Sequence, residues 1–224
     1  MPNRINWRRL LGRSHRVEGR PQPPNLRRVR IDVWSDFDCP FCFLVMFSLE
    51  RLRQDADISI RWRAFQLRPA DAPPMPPSVR AMVQREHERV AQMVRDQFHV
   101  ELHPGPIGIA TRAGHIAAKF VEEYGLGDAF HTAAMNAYWR QGQSLEDKTV
   151  LERIVSLLGL DAGSLVQRWH DPLLSDAVSA DLELANFHGI RSVPSLLFAE
   201  RSMVTGAQPY DALRQVLEKT RAAA

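Results

Sequence analysis

The sequence predicts an α/β protein in which the two halves of one β-sheet enclose a run of helices. Residues 29–35 are rich in apolar, β-prone side chains and residues 58–65 alternate with a period of two, and both patterns are typical of strands. Residues 78–188 contain no comparable strand pattern and read as five or six consecutive helices. Strand patterns resume at residues 195–199 and 203–206, before a final amphipathic helix.

The first two strands and the segment between them predict a parallel βαβ unit. Residues 29–35 are apolar enough to form a central strand. The helix predicted over residues 40–54 begins at Pro40, in the first turn where proline is best tolerated, and its apolar residues suit packing on a sheet. Alternation in the second strand predicts that Arg63 points outward. Residues 68–77 carry five prolines and are predicted to be a connecting loop.

The predicted helical insert is marked by capping residues and glycines. Ser78 and Asp161 are expected to cap helices at their N-termini, and Gly159 and Gly189 to end them. The predicted helices span residues 80–98, 111–123, 128–139, 145–158, 161–170 and 172–188, and the last helix of the chain spans residues 210–220.

Positive charge is concentrated at the N-terminus. Residues 1–30 hold nine arginines and one acid, although the whole chain has a formal net charge of only +3. We expect residues 1–28 to be a basic, disordered arm; a role in binding nucleic acid is not the favoured interpretation, and an organellar transit peptide remains open. The segment lacks the apolar core of a secretory signal, and no apolar run is long enough to span a bilayer. The expected location is therefore the cytoplasm.

The only two cysteines form the motif Cys39-Pro40-Phe41-Cys42 at a predicted strand-to-helix junction. A helix N-terminus favours a thiolate, which is the species that attacks disulfides, so the pattern predicts a redox centre. A structural disulfide here would close almost no loop. A structural zinc site needs four ligands, and only His99 and His103 could complete one, so no metal is expected.

Four motifs in order resemble the DsbA-type branch of the thioredoxin superfamily, and within it the FrnE-like oxidoreductases. They are Val33-Trp34-Ser35-Asp36-Phe37 before the cysteines, Trp62-Arg63-x-Phe65-x-Leu67-x-Pro69 after the second strand, Gly189-Ile190-Arg191-Ser192-Val193-Pro194-Ser195, and Gly206-Ala207-Gln208-Pro209. The resemblance covers residues 29–220. It implies a thioredoxin-like domain formed by residues 29–72 and 189–222, interrupted by an α-helical subdomain at residues 73–188.

The resemblance also implies roles for individual residues. Cys39 would be the nucleophile at an exposed helix start, and Cys42 the resolving thiol, with Pro40 and Phe41 tuning the pair. Pro194 would be a cis proline facing the cysteines, which leaves the backbone edge at Val193 free to bind an extended substrate.

Two side chains beside the cysteines predict a centre that is less oxidising than the strongest DsbA members. Phe41 cannot hold a thiolate by charge, and Asp38 disfavours a negative sulfur. His115 and His131 are predicted to be satisfied histidines in the helical subdomain, and Trp139 and Trp169 to be core residues.

The function predicted from sequence is a disulfide oxidoreductase acting on protein or small-molecule thiols, with no permanently bound cofactor. Glutathione is a candidate co-substrate, and glutathione or a thioredoxin-type protein a candidate recycling partner; the sequence leaves a homodimer open. A glutathione-dependent isomerase or transferase, of the hydroxychromene-carboxylate isomerase or kappa-class type, is the alternative. Cys42 argues against it, because such enzymes need no resolving thiol. A third alternative is a binding protein that merely retains its thiols.

Overall fold

The computed structural model describes residues 28–69 and 71–223, so almost all of the predicted arm lies outside the described residues. The described elements follow the predicted order. They are β1 (Val29–Ser35), α1 (Pro40–Asp55), β2 (Ile58–Ala64), α2 (Pro77–Phe98), α3 (Arg112–Glu122), α4 (Gly127–Gln141), α5 (Lys148–Leu157), α6 (Ala162–Gln167), α7 (Pro172–Phe187), β3 (Ser195–Phe198), β4 (Ser202–Thr205) and α8 (Tyr210–Ala222).

The four strands form one mixed sheet in the order β2-β1-β3-β4. β1 pairs in parallel with β2, from Val29 opposite Ile58 to Ser35 opposite Ala64. β3 pairs antiparallel with both β1 and β4. The predictions of a central first strand and a parallel βαβ unit are confirmed.

Two apolar cores lie against the sheet. One joins β1 to α1 and α8 through buried side chains that include Ile31, Leu49 and Leu213. The other joins the turn after β1 to the helical segment, and it includes both cysteines, Trp139 and Trp169. The two tryptophans are core residues, as predicted. Because the second core crosses the predicted subdomain boundary, the cysteine motif is packed directly against the helical insert.

Two helices begin at residues other than those predicted, because a proline or an aspartate occupies the N-cap position. α2 begins at Pro77, with Pro76 at the N-cap, and Ser78 lies inside the first turn without capping it. A proline at the first helical position has its backbone torsion already set for a helix, which explains the earlier start. α5 begins at Lys148 rather than residue 145, because Asp147 accepts a hydrogen bond from the Thr149 N–H. Asp161 caps α6 as predicted.

Arg63 is not directed into solvent, which corrects the outward prediction. Its side chain is only 13% exposed and forms ion pairs with Asp32 of β1 (2.8 Å) and Asp181 of α7 (2.9 Å). Lys119 of α3 also contacts Asp181 at 2.6 Å. α7 covers this face of the sheet, so the alternating face that appeared exposed is buried, and each buried charge has a partner of opposite sign. The network fixes α3 and α7 against the first two strands.

None of the helices within the described residues is long and apolar enough to cross a membrane.

Candidate active site

The cysteine motif forms the first turn of α1. Cys39 is the N-cap residue, with extended backbone torsions, and Pro40 occupies the first helical position. The Cys42 N–H donates to the Cys39 Sγ at 3.3 Å. The sulfur thus takes the place of the oxygen that Ser or Asp supplies at most N-caps, where unsatisfied backbone N–H groups favour negative charge.

The loop before β3 covers the Cys39 sulfur. The bond between Val193 and Pro194 is cis, and the Cys39 thiol donates to the Val193 carbonyl oxygen at 3.5 Å. Both residues of the loop are buried. Cys39 itself is only 3% exposed, so the prediction that it lies at an exposed helix start was wrong. The physical reason is this loop, which is 154 residues distant in sequence.

Phe41 is half-buried beside helix α2. The guanidinium carbon of Arg89 lies 5.2 Å from the centre of the Phe41 ring. Arg89 also forms an ion pair with Glu86 at 2.7 Å, which offsets part of its charge. Position 41 therefore supplies no charge of its own, and the neighbouring cation comes from the helical insert.

Asp38, directly before Cys39, is held inside the protein. Its carboxylate accepts hydrogen bonds from the Tyr138 hydroxyl at 2.5 Å and from the Gly108 N–H at 3.1 Å. Burial, aided by the charge of Asp36, raises the pKa of Asp38 to about 7 against the two hydrogen bonds. The carboxyl is therefore only about half ionised at neutral pH, so its effect on the neighbouring sulfur depends on pH.

Cys42 is fully buried and is a free thiol, as is Cys39. Burial, together with the hydrogen bond and charge of Cys39, raises the pKa of Cys42 well above its ordinary value. The nearby Asp36 backbone and Ser35 hydroxyl lower that pKa in part. Ser35 ends β1 and is also buried. The Cys42 thiol is thus protonated at rest and has two polar neighbours on the strand side.

Two buried histidines, His115 and His131, pack against the Phe37 ring. The His115 Nε2–H donates to the Phe65 carbonyl oxygen at 2.8 Å, as predicted for a satisfied histidine. His131 Nε2 is hydrogen-bonded to the Ser35 hydroxyl at 3.0 Å, but its Nδ1 is buried and has no partner among the described residues. The prediction of a satisfied His131 was therefore wrong for one ring nitrogen. Sequence reasoning identified Asp38 through its charge beside Cys39, but it did not identify Ser35 as a site residue.

A third histidine, His87 of α2, lies on Trp139 with ring centres 4.7 Å apart. Burial lowers the pKa of His87 to about 4, and neither ring nitrogen has a partner within the described part of the chain. Over the same described residues, no group of three or more His, Cys, Asp or Glu side chains is arranged to hold a metal ion.

Comparison with known proteins identifies relatives over most of the chain. A curated relative, the uncharacterized protein YwbO of Bacillus subtilis (strain 168), is 26% identical over 198 residues, which is 84% of this chain and 96% of YwbO. A probable DsbA oxidoreductase from Streptomyces coelicolor has a similar structure, with a TM-score of 0.72 and 21% identity, covering 86% of this chain and 89% of the other.

Two further solved structures share the fold. A 2-hydroxychromene-2-carboxylate isomerase has a TM-score of 0.72 at 17% identity, covering 85% of this chain and 95% of its own. The cytosolic disulfide reductase DsbM of Pseudomonas aeruginosa has a TM-score of 0.62 at 18% identity, covering 87% and 100%, and has also been solved with GSH. The family model of the DSBA-like thioredoxin domain matches residues 30–218. With its Cys-x-x-Cys helix start, cis-proline loop and helical insert, the chain belongs to the DSBA-like thioredoxin domain family.

Proposed function

We propose that the protein is a thiol–disulfide oxidoreductase in which Cys39 attacks and Cys42 resolves. The observation that carries this proposal is the hydrogen bond from the Cys42 N–H to the Cys39 Sγ at the start of α1. It places one sulfur where the helix N-terminus stabilises a thiolate and places the second cysteine one turn further into the protein.

The proposed reaction has two exchange steps. The Cys39 thiolate attacks one sulfur of a substrate disulfide, forming a mixed disulfide and releasing the first substrate thiolate, which takes up a proton. The Cys42 thiol then loses its proton and attacks the Cys39 sulfur, which releases the second substrate thiol. Two electrons pass to the substrate and leave a Cys39–Cys42 disulfide; the reverse steps oxidise a substrate dithiol.

The loop of Val193 and Pro194 is proposed to bind the substrate chain. The Val193 carbonyl is already within 3.5 Å of the Cys39 sulfur, so a peptide paired along this backbone would lie beside the nucleophile. The half-buried ring of Phe41 lies two residues after Cys39, with the guanidinium of Arg89 from α2 over it. Both protein and small-molecule disulfides fit this description.

Glutathione is proposed as a co-substrate or recycling partner, and the cytoplasm as the location. The support for both is the likeness to DsbM, a cytosolic disulfide reductase that has been solved with GSH. A thioredoxin-type protein is the other proposed recycling partner. We further propose that the FrnE-like group is the part of the family to which the motifs assign this chain.

A glutathione-dependent isomerase is the second candidate, because the fold is equally similar to that of a 2-hydroxychromene-2-carboxylate isomerase. Such a reaction would use Cys39 alone to bind or activate glutathione. It gives no role to Cys42, which lies fully buried beside Cys39.

A glutathione redox titration, measured by the mass shift on thiol alkylation, separates the two candidates. We expect one two-electron transition between about −270 and −120 mV, the span from thioredoxin to DsbA, and its loss in Cys42→Ser. We also expect Phe41→His to move the potential towards DsbA, because an imidazolium beside Cys39 favours the thiolate. A stable glutathione adduct without any internal disulfide in the wild-type protein would contradict the oxidoreductase and support the isomerase.

A further inference from the structure

The resolving step requires a proton to leave a fully buried sulfur. Cys42 has no exposed surface, and burial disfavours its thiolate. A group within the protein must therefore take the proton while Cys42 attacks the mixed disulfide. The candidates are the polar groups that contact Cys42 from β1 and the turn after it.

Ser35 is the side chain that contacts Cys42 from this direction. Its hydroxyl lies near enough to the Cys42 sulfur to lower the pKa of that thiol. The same hydroxyl is hydrogen-bonded to His131 Nε2 at 3.0 Å. A hydroxyl can accept one proton and donate another, so Ser35 can pass a proton without holding a charge.

His131 continues the path towards a cavity. Its ring stacks on Trp62, with centres 3.5 Å apart and planes inclined by 5°, so its orientation is fixed. Its Nδ1 is buried and lacks a partner within the described residues. Ser35 and His131 both line a cavity of about 190 Å³ between β2, α3 and α4, and the exposed residues Arg61 and Gly125 line it too. A cavity of this size, lined by both charged and apolar groups, has room for several water molecules.

We propose that Ser35 and His131 form a proton relay that carries the Cys42 proton to this cavity during the resolving step. This inference rests on the proposed oxidoreductase function. The Cys42 S–H proton passes to the Ser35 oxygen as the Ser35 hydroxyl proton passes to His131 Nε2. His131 then releases a proton towards the cavity that its ring lines, and the Cys42 thiolate forms its bond to Cys39 as the bond from Cys39 to the substrate sulfur breaks.

The surroundings of His131 suit a transient carrier. Burial and the charge of His115 lower the pKa of His131 well below its ordinary value, so the ring passes the proton on rather than keeping it. Nearly all the charged groups around the cavity are engaged in ion pairs with one another or have other partners. The titratable and charged groups facing the relay are Asp32, Asp36, Asp38, Arg61, Arg63, His115, Lys119, Glu122, Asp128 and Asp181.

Asp36 is the main competitor for this role. Its Oδ2 accepts the Leu67 N–H, whereas its Oδ1 is buried without a hydrogen bond and lies 3.6 Å from His115 Nε2. Only the backbone of Asp36, and not its carboxylate, contributes a hydrogen bond to Cys42. Ser35 is therefore the better-placed first acceptor, and Asp36 and His115 provide matched controls.

Two-phase thiol exchange tests the relay. The reduced protein is mixed with an equimolar amount of the aromatic disulfide dithiobis(nitrobenzoate). Release of its coloured nitrothiobenzoate thiolate is followed by absorbance over a range of pH. Attack by Cys39 releases the first thiolate at a rate that depends on reagent concentration. Attack by Cys42 releases the second in a first-order phase, which Cys42→Ser lacks. If the wild-type protein lacks the second phase as well, the proposed function itself fails.

We expect Ser35→Ala and His131→Gln to slow the second phase about 100-fold near neutral pH, the lower part of the range for positioned acid–base groups. The first phase should be unchanged, and the deficit should shrink as pH rises, because hydroxide then removes the Cys42 proton directly. His115→Gln and Asp36→Asn should retain the second phase. Ser35→Ala removes only one oxygen atom, so it still tests the relay if His131→Gln fails to fold. An equal deficit at every pH, no deficit, or a deficit confined to Asp36→Asn would overturn the proposal.

Discussion

Replacing Asp38 with asparagine should change how stability depends on pH. The carboxyl is buried, and burial raises its pKa from 3.8, the value for a free aspartate, to about 7. The folded protein therefore holds a proton on Asp38 that the unfolded chain loses at lower pH. By linkage, the free energy of unfolding decreases as pH rises between these two values.

The size of the effect follows from the shift. A raised folded-state pKa gives stability that is fully present below the unfolded value and is lost as pH rises through the folded value. A shift of about three units corresponds to ~4 kcal/mol, at about 1.4 kcal/mol for each pH unit. Asp38 is 8% exposed, so solvent screens this effect little. Asparagine keeps an acceptor for Gly108 and never ionises, so it removes this loss.

Urea unfolding of the reduced protein at pH values from about 4 to 8 measures the effect. The lowered pKa values of His87 and His131 act in the opposite direction, but they are common to both proteins and cancel in the difference. We expect the advantage of Asp38→Asn over wild type to grow by ~4 kcal/mol and to level off above about pH 7. In a Tyr138→Phe background the hydroxyl donor is absent, so the pKa of Asp38 should rise further. The pH above which the stability difference becomes constant should then be higher. A difference constant to within about 1 kcal/mol over the range would refute the reasoning.

Two further predictions concern packing and charge. Asp181→Asn should destabilise the fold by ~2–3 kcal/mol in urea unfolding, because Arg63 and Lys119 lose their shared buried partner while each keeps one other carboxylate. Glu218→Ala, which breaks an exposed pair on α8, should cost under about 1 kcal/mol, and equal losses would contradict the network's role. Gly114→Ala should destabilise by ~1–3 kcal/mol, because the new Cβ would lie 3.1 Å from the Phe37 ring beside the redox motif. Gly127→Ala, whose Cβ meets nothing closer than 3.6 Å, should be neutral or stabilising by up to ~1 kcal/mol; a thermal shift of the same sign in both would refute the steric argument.

The sequence alone determined the order of elements and the place of the redox motif. A continuous apolar strand, a proline at the first helical position and a cysteine at the cap are local signals, and each acts through the backbone of a few residues. The family resemblance then pointed to the loop at Val193 and Pro194, which the structure brings to within 3.5 Å of the Cys39 sulfur.

Only the tertiary structure decided the environment of that motif. Cys39 is buried by a loop 154 residues away, and Asp38 meets Tyr138 across 100 residues. Ser35 meets His131 across 96 residues, and Arg63 turns inward because Asp181, 118 residues further on, covers that face of the sheet. Periodicity reports which residues share a face, but burial and charge depend on what packs against that face. The chemistry of the two cysteines is therefore set by partners that no local pattern contains.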